Sequence, residues 1–361
     1  MSAPTLPAPD LETSGPWPQV LRGVEPILQA LLAIAAAIAI CSVVLVATGF
    51  SPVETWREFI ERTLLRPAGI QESIARATPL LIAGVGVLVA ARAGLWNIGV
   101  DGQVLVGAMA AAVVGHSLAG SPALAIWIGA FAAAGIAGGL WIVVPAVLRA
   151  RWGINEIVTT IMFNYVAVSL TSWLVKGLLR DESLVTSQTP LIPRETRLPL
   201  LGDTRIHAGL FVAVIIWIAA AWWLGRSVWG FEMRSVGASP RAARHAMIPV
   251  GGIVVGALLA SGTVAALAGA NDVLATKGTF QAEWNPEYGL SAFALVFLAR
   301  RSVAGLIPAA LFLGMLSYGA DVMPRAAGVP SMFFQFFEGV LLIVLAVLHW
   351  RPWQRFGWFP T

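Results

Sequence analysis

Ten apolar runs set the terms on which this chain can fold, at about 26–50, 77–92, 103–117, 122–148, 156–178, 207–225, 250–271, 288–300, 303–320 and 333–349. A helix needs about 20 mostly apolar residues to cross the hydrocarbon of a bilayer. A chain of 361 residues that spends roughly thirty-five on each crossing and its connection has room for about ten. Only 12% of the residues are charged and 58% are hydrophobic, whereas a soluble chain is about a quarter charged. The solvated shell of a globular domain is missing. The fold class is therefore an all-α integral membrane bundle of about ten transmembrane helices, some short or broken. Soluble enzymes, disordered tails and nucleic-acid readers do not fit.

The net charge is +4, carried by 21 Arg and 2 Lys against 19 acids. The bases are scattered through the links without a like-charge run, which suits anchoring at lipid headgroups and not a nucleic-acid partner. Cys41 is the single cysteine and can form no internal disulfide. No small-residue cleavage site follows the first apolar run, so it reads as a retained helix. The domains expected are a flexible tail at 1–25, a transmembrane domain at 26–350 and a second tail at 351–361. Between Ser51 and Arg76, acids and bases (Glu54, Arg57, Glu58, Glu61, Arg62) alternate with apolar residues at helical spacing, as in an amphipathic helix lying at the interface.

Four basic clusters fall on one side of an alternating ten-helix path: Arg149 with Arg151, the link holding Arg226, Arg234, Arg241 and Arg244, Arg300 with Arg301, and Arg351 with Arg355. The positive-inside rule places that side, and both termini with it, in the cytoplasm. Two polar, Gly-bearing links, Arg92 to Gln103 and Asn271 to Glu287, each separate short apolar runs. Irregular backbone at membrane depth must be buried in protein or line a cavity, and paired interruptions of this kind point to a solute path.

Covalent chemistry has no foothold. There is no GxxxxGK[ST] loop, no HExxH, no GxSxG, and the histidines at 116, 207, 245 and 349 lack metal-ligand spacing. No catalytic residue, metal or cofactor is assigned.

Four segments carry the remaining signal. In RAGLWNIGVDGQ, residues 92–103, Gly94, Gly99 and Gly102 permit tight turns, and Asn97 and Gln103 can donate and accept as a hydroxylated solute requires. The same amides could instead satisfy the broken backbone, and Asp101 could cap the next helix or pair with Arg92. In GINEIVTTIMFNY, residues 153–165, spacing puts Asn155, Thr159 and Met162 on one face and Glu156, Thr160 and Asn164 on the adjacent one. Polar faces inside a bundle either line a pathway or glue helices together. Glu156 is near enough to Arg151 to interact. In residues 229–252, Ser239 suits a cap and Pro240 a first helical position, giving a short basic helix through Arg241, Ala242 and Arg244 that ends before Pro249. It could dock on a partner or lie as a solvated loop on anionic headgroups. In residues 269–302, Asn271, Lys277, Gln281, Trp284, Asn285, Glu287 and Tyr288 gather between two apolar runs. Aromatics with amides suit a polar ring compound, and an interfacial aromatic belt would use Trp284 and Tyr288 equally well.

These stretches resemble the permease subunits of bacterial ATP-binding cassette importers for simple sugars and nucleosides, in the branched-chain amino acid/ribose-type permease family and the branch served by basic-membrane-protein-type lipoprotein receptors. RAGLWNIGVDGQVLVGA is similar to that family's RAG-x-x-NIG-x-x-GQ run, GINEIVTTIMFNY to its G-x-NE-x-x-TTIM-x-NY run, and GFEMRSVGASPRAARHAMI to its G-x-x-x-R-x-VG-x-x-x-x-AA-x-x-x-GI segment. The similarity covers about 27–350. There are two departures. Met247 stands where a Gly usually precedes the Ile, and Gln281 to Asn285 is atypical before PEYG.

The resemblance implies an importer-type bundle with no enzymatic activity of its own, because ATP hydrolysis resides on a partner ATPase subunit. It implies that Gly237, Ser239, Pro240, Arg241, Ala242 and Arg244 belong to a coupling helix within 237–248. It also implies a second permease (a copy or a different chain), a periplasmic or lipoprotein solute receptor, and a multi-pass place in the bacterial inner membrane. On this basis Asn97, Gln103, Asn164 and Tyr165 line the pathway, with Trp284 and Tyr288, and the solute is a nucleoside first and a simple sugar second. The alternatives are an ion-coupled secondary transporter, with Glu338 as its titratable group, and a membrane scaffold without transport.

Overall fold

The computed structural model describes residues 17–349. Residues 1–16 and 350–361, which hold most of the expected first tail and the expected second tail with Arg351 and Arg355, lie outside the described residues. The first helix, α1, runs Trp17–Ala47, so the last part of the expected N-terminal tail is helical.

Among the described residues, eight helices are long and apolar enough to cross a membrane, and two shorter apolar ones, Tyr288–Leu298 and Met332–Leu348, complete the ten runs. After α1 come α2 (Pro52–Ile60), α3 (Pro67–Arg92), α4 (Val100–Ser117), α5 (Ala123–Trp141), α6 (Val143–Trp152) and α7 (Glu156–Lys176). Then follow α8 (Gly209–Arg226), α9 (Val228–Ala238), α10 (Pro240–His245), α11 (Val250–Asp272), α12 (Tyr288–Leu298), α13 (Leu306–Ala326) and α14 (Met332–His349).

The amphipathic segment is shorter than its charge pattern suggests. It comprises α2 and one π turn, Glu61–Leu65, and stops at Arg66, whose backbone is extended at ψ 128°. Pro67 forces that conformation on the residue before it and starts α3 in the first position a proline favours. Residues 67–76, Arg76 included, therefore belong to a crossing helix and not to the interface.

Helix α3 is the hub. It packs against α8, α11, α12 and α13, while α4 packs against α5, α7 and α11. Of its most apolar stretch, 83% is buried inside the protein, against 17% for α7 on the periphery. Without a hydrophobic drive between helices in lipid, close packing of small residues has to bring backbones together. The α4–α11 contact does this at Gly107, where a Cβ would lie 2.4 Å from the Ala266 carbonyl oxygen, and at Gly269, where one would lie 2.1 Å from that of Val104. Pro79 interrupts α3 and leaves the Ala75 carbonyl without its helical donor. The His207 ring, from the link before α8, hydrogen-bonds that carbonyl instead.

Both expected interruptions exist with altered limits. The first spans 93–99, and Gln103 lies within α4. In the second, α11 passes into a π turn, Val273–Lys277, that ends at Gly278 with φ +71°. Chain alternation then sorts the links onto two faces. One carries the α3–α4 break, α9, α10 and the α12–α13 turn. The other carries residues 177–208 and 278–287.

Candidate functional site

The α3–α4 break is built as a closed hydrogen-bond network. Asn97 and Gln103 form a reciprocal amide pair, Asn97 Nδ2 donating to Gln103 Oε1 at 2.9 Å and Gln103 Nε2 to Asn97 Oδ1 at 3.1 Å. Asn97 also donates to Ser261 Oγ of α11 at 2.9 Å and accepts from the Gly99 N–H at 3.0 Å. From α7, Asn164 donates to the Ile98 carbonyl at 2.9 Å and accepts from the Gly102 N–H at 2.8 Å. Thr160 accepts from the Ile98 N–H, and Glu156 from that of Trp96. Glu156 pairs with Arg149 at 3.1 Å, not with Arg151. The face that spacing assigned to Glu156, Thr160 and Asn164 is thus the face that holds the break. Backbone orphaned inside a membrane is satisfied here by side chains, as it must be.

The opposite half of the bundle encloses a cavity of about 690 Å³ between α3, α11, α12, α13 and α14. The Tyr288 hydroxyl donates to Asp272 Oδ2 at 2.6 Å, and the Ser291 hydroxyl to Glu338 Oε2 at 2.8 Å. All four residues line the cavity, with Trp284 and Arg76. Arg76 pairs with Asp321. A carboxyl group keeps more than one acceptor lone pair in either protonation state, so one donor each from Tyr288 and Ser291 leaves Asp272 and Glu338 with acceptor capacity. At the mouth, Lys277 lies over the Trp284 ring at 5.9 Å. The atypical stretch tethers the 278–287 link to residues 172–188. Ala282 N donates to the Ser187 carbonyl at 2.9 Å, and Lys176 pairs with Glu283 at 2.5 Å. That pairing holds the exposed Glu283 carboxyl below its usual range through the lysine's hydrogen bond and charge.

Cavity and break meet at the start of α12. Asp101, in the first turn of α4, accepts from the Gly289 N–H at 2.7 Å. It therefore caps α12, and neither its own helix nor Arg92 uses it in the manner the sequence suggested. Negative charge at a helix amino end is favourable, with the unpaired N–H groups supplying the reason. A Cβ on Gly289 would lie 2.4 Å from Asp101 Oδ2, so any larger residue there must displace the capping carboxylate.

Helix α10 is far from the cavity. It ends just before α11, whose 23 residues separate it from Asp272 by about 34 Å at 1.5 Å per residue. Ser239 stops α9 in extended conformation at φ −159° and caps α10, accepting from the Ala242 N–H at 3.3 Å, and Pro240 follows at the first helical position. Only Ala243 of α10 is buried, which leaves Arg241, Ala242, Arg244 and His245 exposed. Gly237 sits in the last turn of α9, not in α10. A Cβ there would lie 2.5 Å from the Arg92 carbonyl oxygen, so α9 rests directly on the break.

Of the residues singled out from sequence, Trp284 and Tyr288 line the cavity. Asn97 sits in the break, and Gln103 of α4 and Asn164 of α7 hydrogen-bond to it. Tyr165 is 68% exposed and points away from the bundle. Arg76 is hidden in the sequence because it adjoins the apolar run that starts at residue 77, and Asp272 carries a signal of its own as an acid at the end of an apolar run.

A bundle of ten apolar helices with interrupted crossings, a polar cavity at one end and a basic helix exposed at the other is a multi-pass membrane permease. The chain belongs to the branched-chain amino acid transport system / permease component family, whose pattern residues 69–346 match. It is 33% identical over 339 residues to a glucose ABC transporter permease of Haloferax volcanii, covering 90% of this chain and 88% of that one. It is 30% identical over 337 residues to a guanosine ABC transporter permease of Bacillus subtilis, with 91% and 95% covered. A nucleoside ABC transporter permease of Lactococcus lactis is 25% identical over 332 residues, with 89% and 91% covered.

Proposed function

We propose that the chain is the membrane-spanning subunit of an ATP-driven importer and that a hydroxyl-rich, uncharged solute passes through the cavity beside α12. The observation that carries this reading is the pairing of unspent carboxylate acceptors, Asp272 and Glu338, with the ring faces of Trp284 and Tyr288 in one membrane-embedded cavity. Acceptors meet sugar hydroxyls, and ring faces meet a base or the apolar side of a pyranose. The guanosine and nucleoside permeases among the relatives support a nucleoside as first choice, and the glucose permease supports a simple sugar as the second. In this proposal Asn97, Gln103 and Asn164 shape the break that closes the path, and solute touches the cavity residues.

The ATPase subunit docks on α10 through Arg241, Ala242 and Arg244, with Ser239 and Pro240 fixing its start. Gly237 carries the displacement to the break. A second permease completes the pore, and a solute receptor delivers from the cavity face. Both termini then lie in the cytoplasm of a bacterial cell with the chain in its inner membrane. Membership of this family speaks against an ion-coupled transporter, and Glu338 is better used as a solute acceptor. Liposomes holding this chain, its ATPase, the second permease and the receptor are expected to accumulate labelled guanosine only with ATP on the α10 face. Accumulation by this chain alone, driven by an ion gradient, would overturn the reading.

A further inference from the structure

Charged groups on the two faces are treated differently. Among the described residues, five of the six ion pairs lie on the cavity face: Arg62–Glu58, Arg66–Glu61, Arg76–Asp321, Lys176–Glu283 and Arg205–Glu72. The α10 face has one, Arg149–Glu156. Three arginines of that face converge on the α3–α4 break, and none of them is in an ion pair among the described residues; the nearby Glu156 is taken by Arg149 and the Trp96 N–H. Arg92 is the last residue of α3, and its Nε is buried with no hydrogen-bond partner among the described residues. The charges acting on it are Arg234, from α9, and Arg301, from the α12–α13 turn. Among the described residues, Arg234 hydrogen-bonds only the Leu224 carbonyl. Arg301 lies over the Trp96 ring of the break at 4.7 Å.

Backbone strain holds this arrangement. Arg300 and Arg301 are both left-handed, at φ +50° and +57°, in a conformation that disfavours any residue with a Cβ. Consecutive strained residues persist where the surroundings over-determine them, and they cluster at functional sites. Three like charges gathered from three elements, one with a desolvated and unspent donor, repel one another unless an anion sits among them. Arginine favours phosphate because its fork of donors matches phosphate oxygens.

We propose that Arg92, Arg234 and Arg301 form a phosphate-binding site on the α10 face, filled by the headgroup of an anionic phospholipid. The lipid is favoured over a soluble ligand because Arg92 ends a crossing helix and Arg301 stands beside an indole, which together mark headgroup depth. The bound phosphate ties the end of α3 to α9 and to the α12–α13 turn, the elements that meet at the break. Transport then depends on anionic lipid whichever solute is carried, so the site stands or falls apart from the solute assignment.

The test is lipid retention by the full chain, purified in mild detergent from vesicles of phosphatidylglycerol or of phosphatidylcholine and read by native mass spectrometry. Each of Arg92→Gln and Arg301→Gln is expected to lower retained phosphatidylglycerol roughly fivefold, the size of one arginine's contribution near an anionic surface. Arg92→Lys, which keeps the charge but not the fork of donors, is expected to lose less than Arg92→Gln, and Arg151→Gln, elsewhere on the same face, is expected to retain it. Should either glutamine variant fold poorly, thermal protection of the unmodified chain by added phosphatidylglycerol gives the same answer. Protection by inorganic phosphate but not by the lipid would keep the phosphate chemistry and assign a soluble source. Protection by neither, or by the ATPase subunit alone, would overturn the site.

Discussion

The α3–α4 break and the cavity at the start of α12 hold the same kinds of residue at membrane depth, amides, hydroxyls and carboxylates, and use them oppositely. In the break, Asn97, Gln103, Asn164 and Ser261 spend their groups on one another and on the backbone of residues 98–102. In the cavity, Asp272 and Glu338 each accept one hydroxyl and face open volume with the rest. A polar residue in an apolar run is therefore ambiguous until its partners are known. The difference lies in whether a local backbone needs it. Seven residues, 93–99, lie outside helices and present N–H and C=O groups that nothing in the lipid can satisfy. The cavity residues sit on regular helices or at their ends and have acceptors to spare.

The sharpest way to break this comparison is Asn97→Ala. It strands the Gly99 N–H, the Gln103 amide and the Ser261 hydroxyl in a fully buried place. At about 1–3 kcal/mol for each unsatisfied group, the loss is on the order of 4 kcal/mol. The expected result is failure to recover folded protein, read by monodispersity in detergent. Recovery of a stable but inactive chain would return Asn97 to the solute path. Gly289→Ala comes next. Its Cβ meets the Asp101 carboxylate at 2.4 Å, and overpacking of this kind costs about 1–3 kcal/mol. Because the two residues touch, Gly289→Ala combined with Asp101→Ala should lose less than the sum of the single changes in a thermal-unfolding cycle.

Asp272→Asn and Glu338→Gln probe the other half. Each keeps its shape and a hydroxyl contact, so stability should move by less than about 1 kcal/mol. Each also trades an acceptor for a donor where a solute hydroxyl would bind. A hydrogen bond is worth about 0.5–1.5 kcal/mol, so ATP-driven uptake by the reconstituted complex should fall roughly two- to tenfold. Unchanged uptake in both would empty the cavity of its proposed role and put the break back in contention.

Much of the architecture could be read from the chain because the bilayer enforces it. All ten apolar runs are helices, and the polar face of α7 was placed by spacing alone. What could not be read depends on partners distant in sequence. Asn97 and Ser261 are 164 residues apart, Asp101 and Gly289 are 188 apart, and Arg76 and Asp321 are 245 apart. No local pattern distinguishes an amide that will find such a partner from one that will face a cavity. The error at Arg76 has a simpler cause. Charge alternation continues smoothly from α2 into α3, and only Pro67 marks where the interfacial helix stops.

The smallest effect is expected at the end of α10. Met247 closes α10 in left-handed conformation at φ +61°. Its N–H bonds the Arg244 carbonyl at 3.0 Å, and the Ile248 N–H bonds that of Ala243 at 3.0 Å. This is the helix-ending pattern in which glycine normally occupies the left-handed place, because no Cβ opposes it. Met247 is 90% exposed and gains little packing in return. Met247→Gly should therefore relieve about 1–2 kcal/mol of backbone strain and give back about half through the freer unfolded chain. The net is a rise in thermal midpoint of a degree or two for a chain of this size. If the same change weakens the ATPase subunit's grip in a pull-down, the exposed methionine is a contact of the docking helix, and its strain is kept for binding.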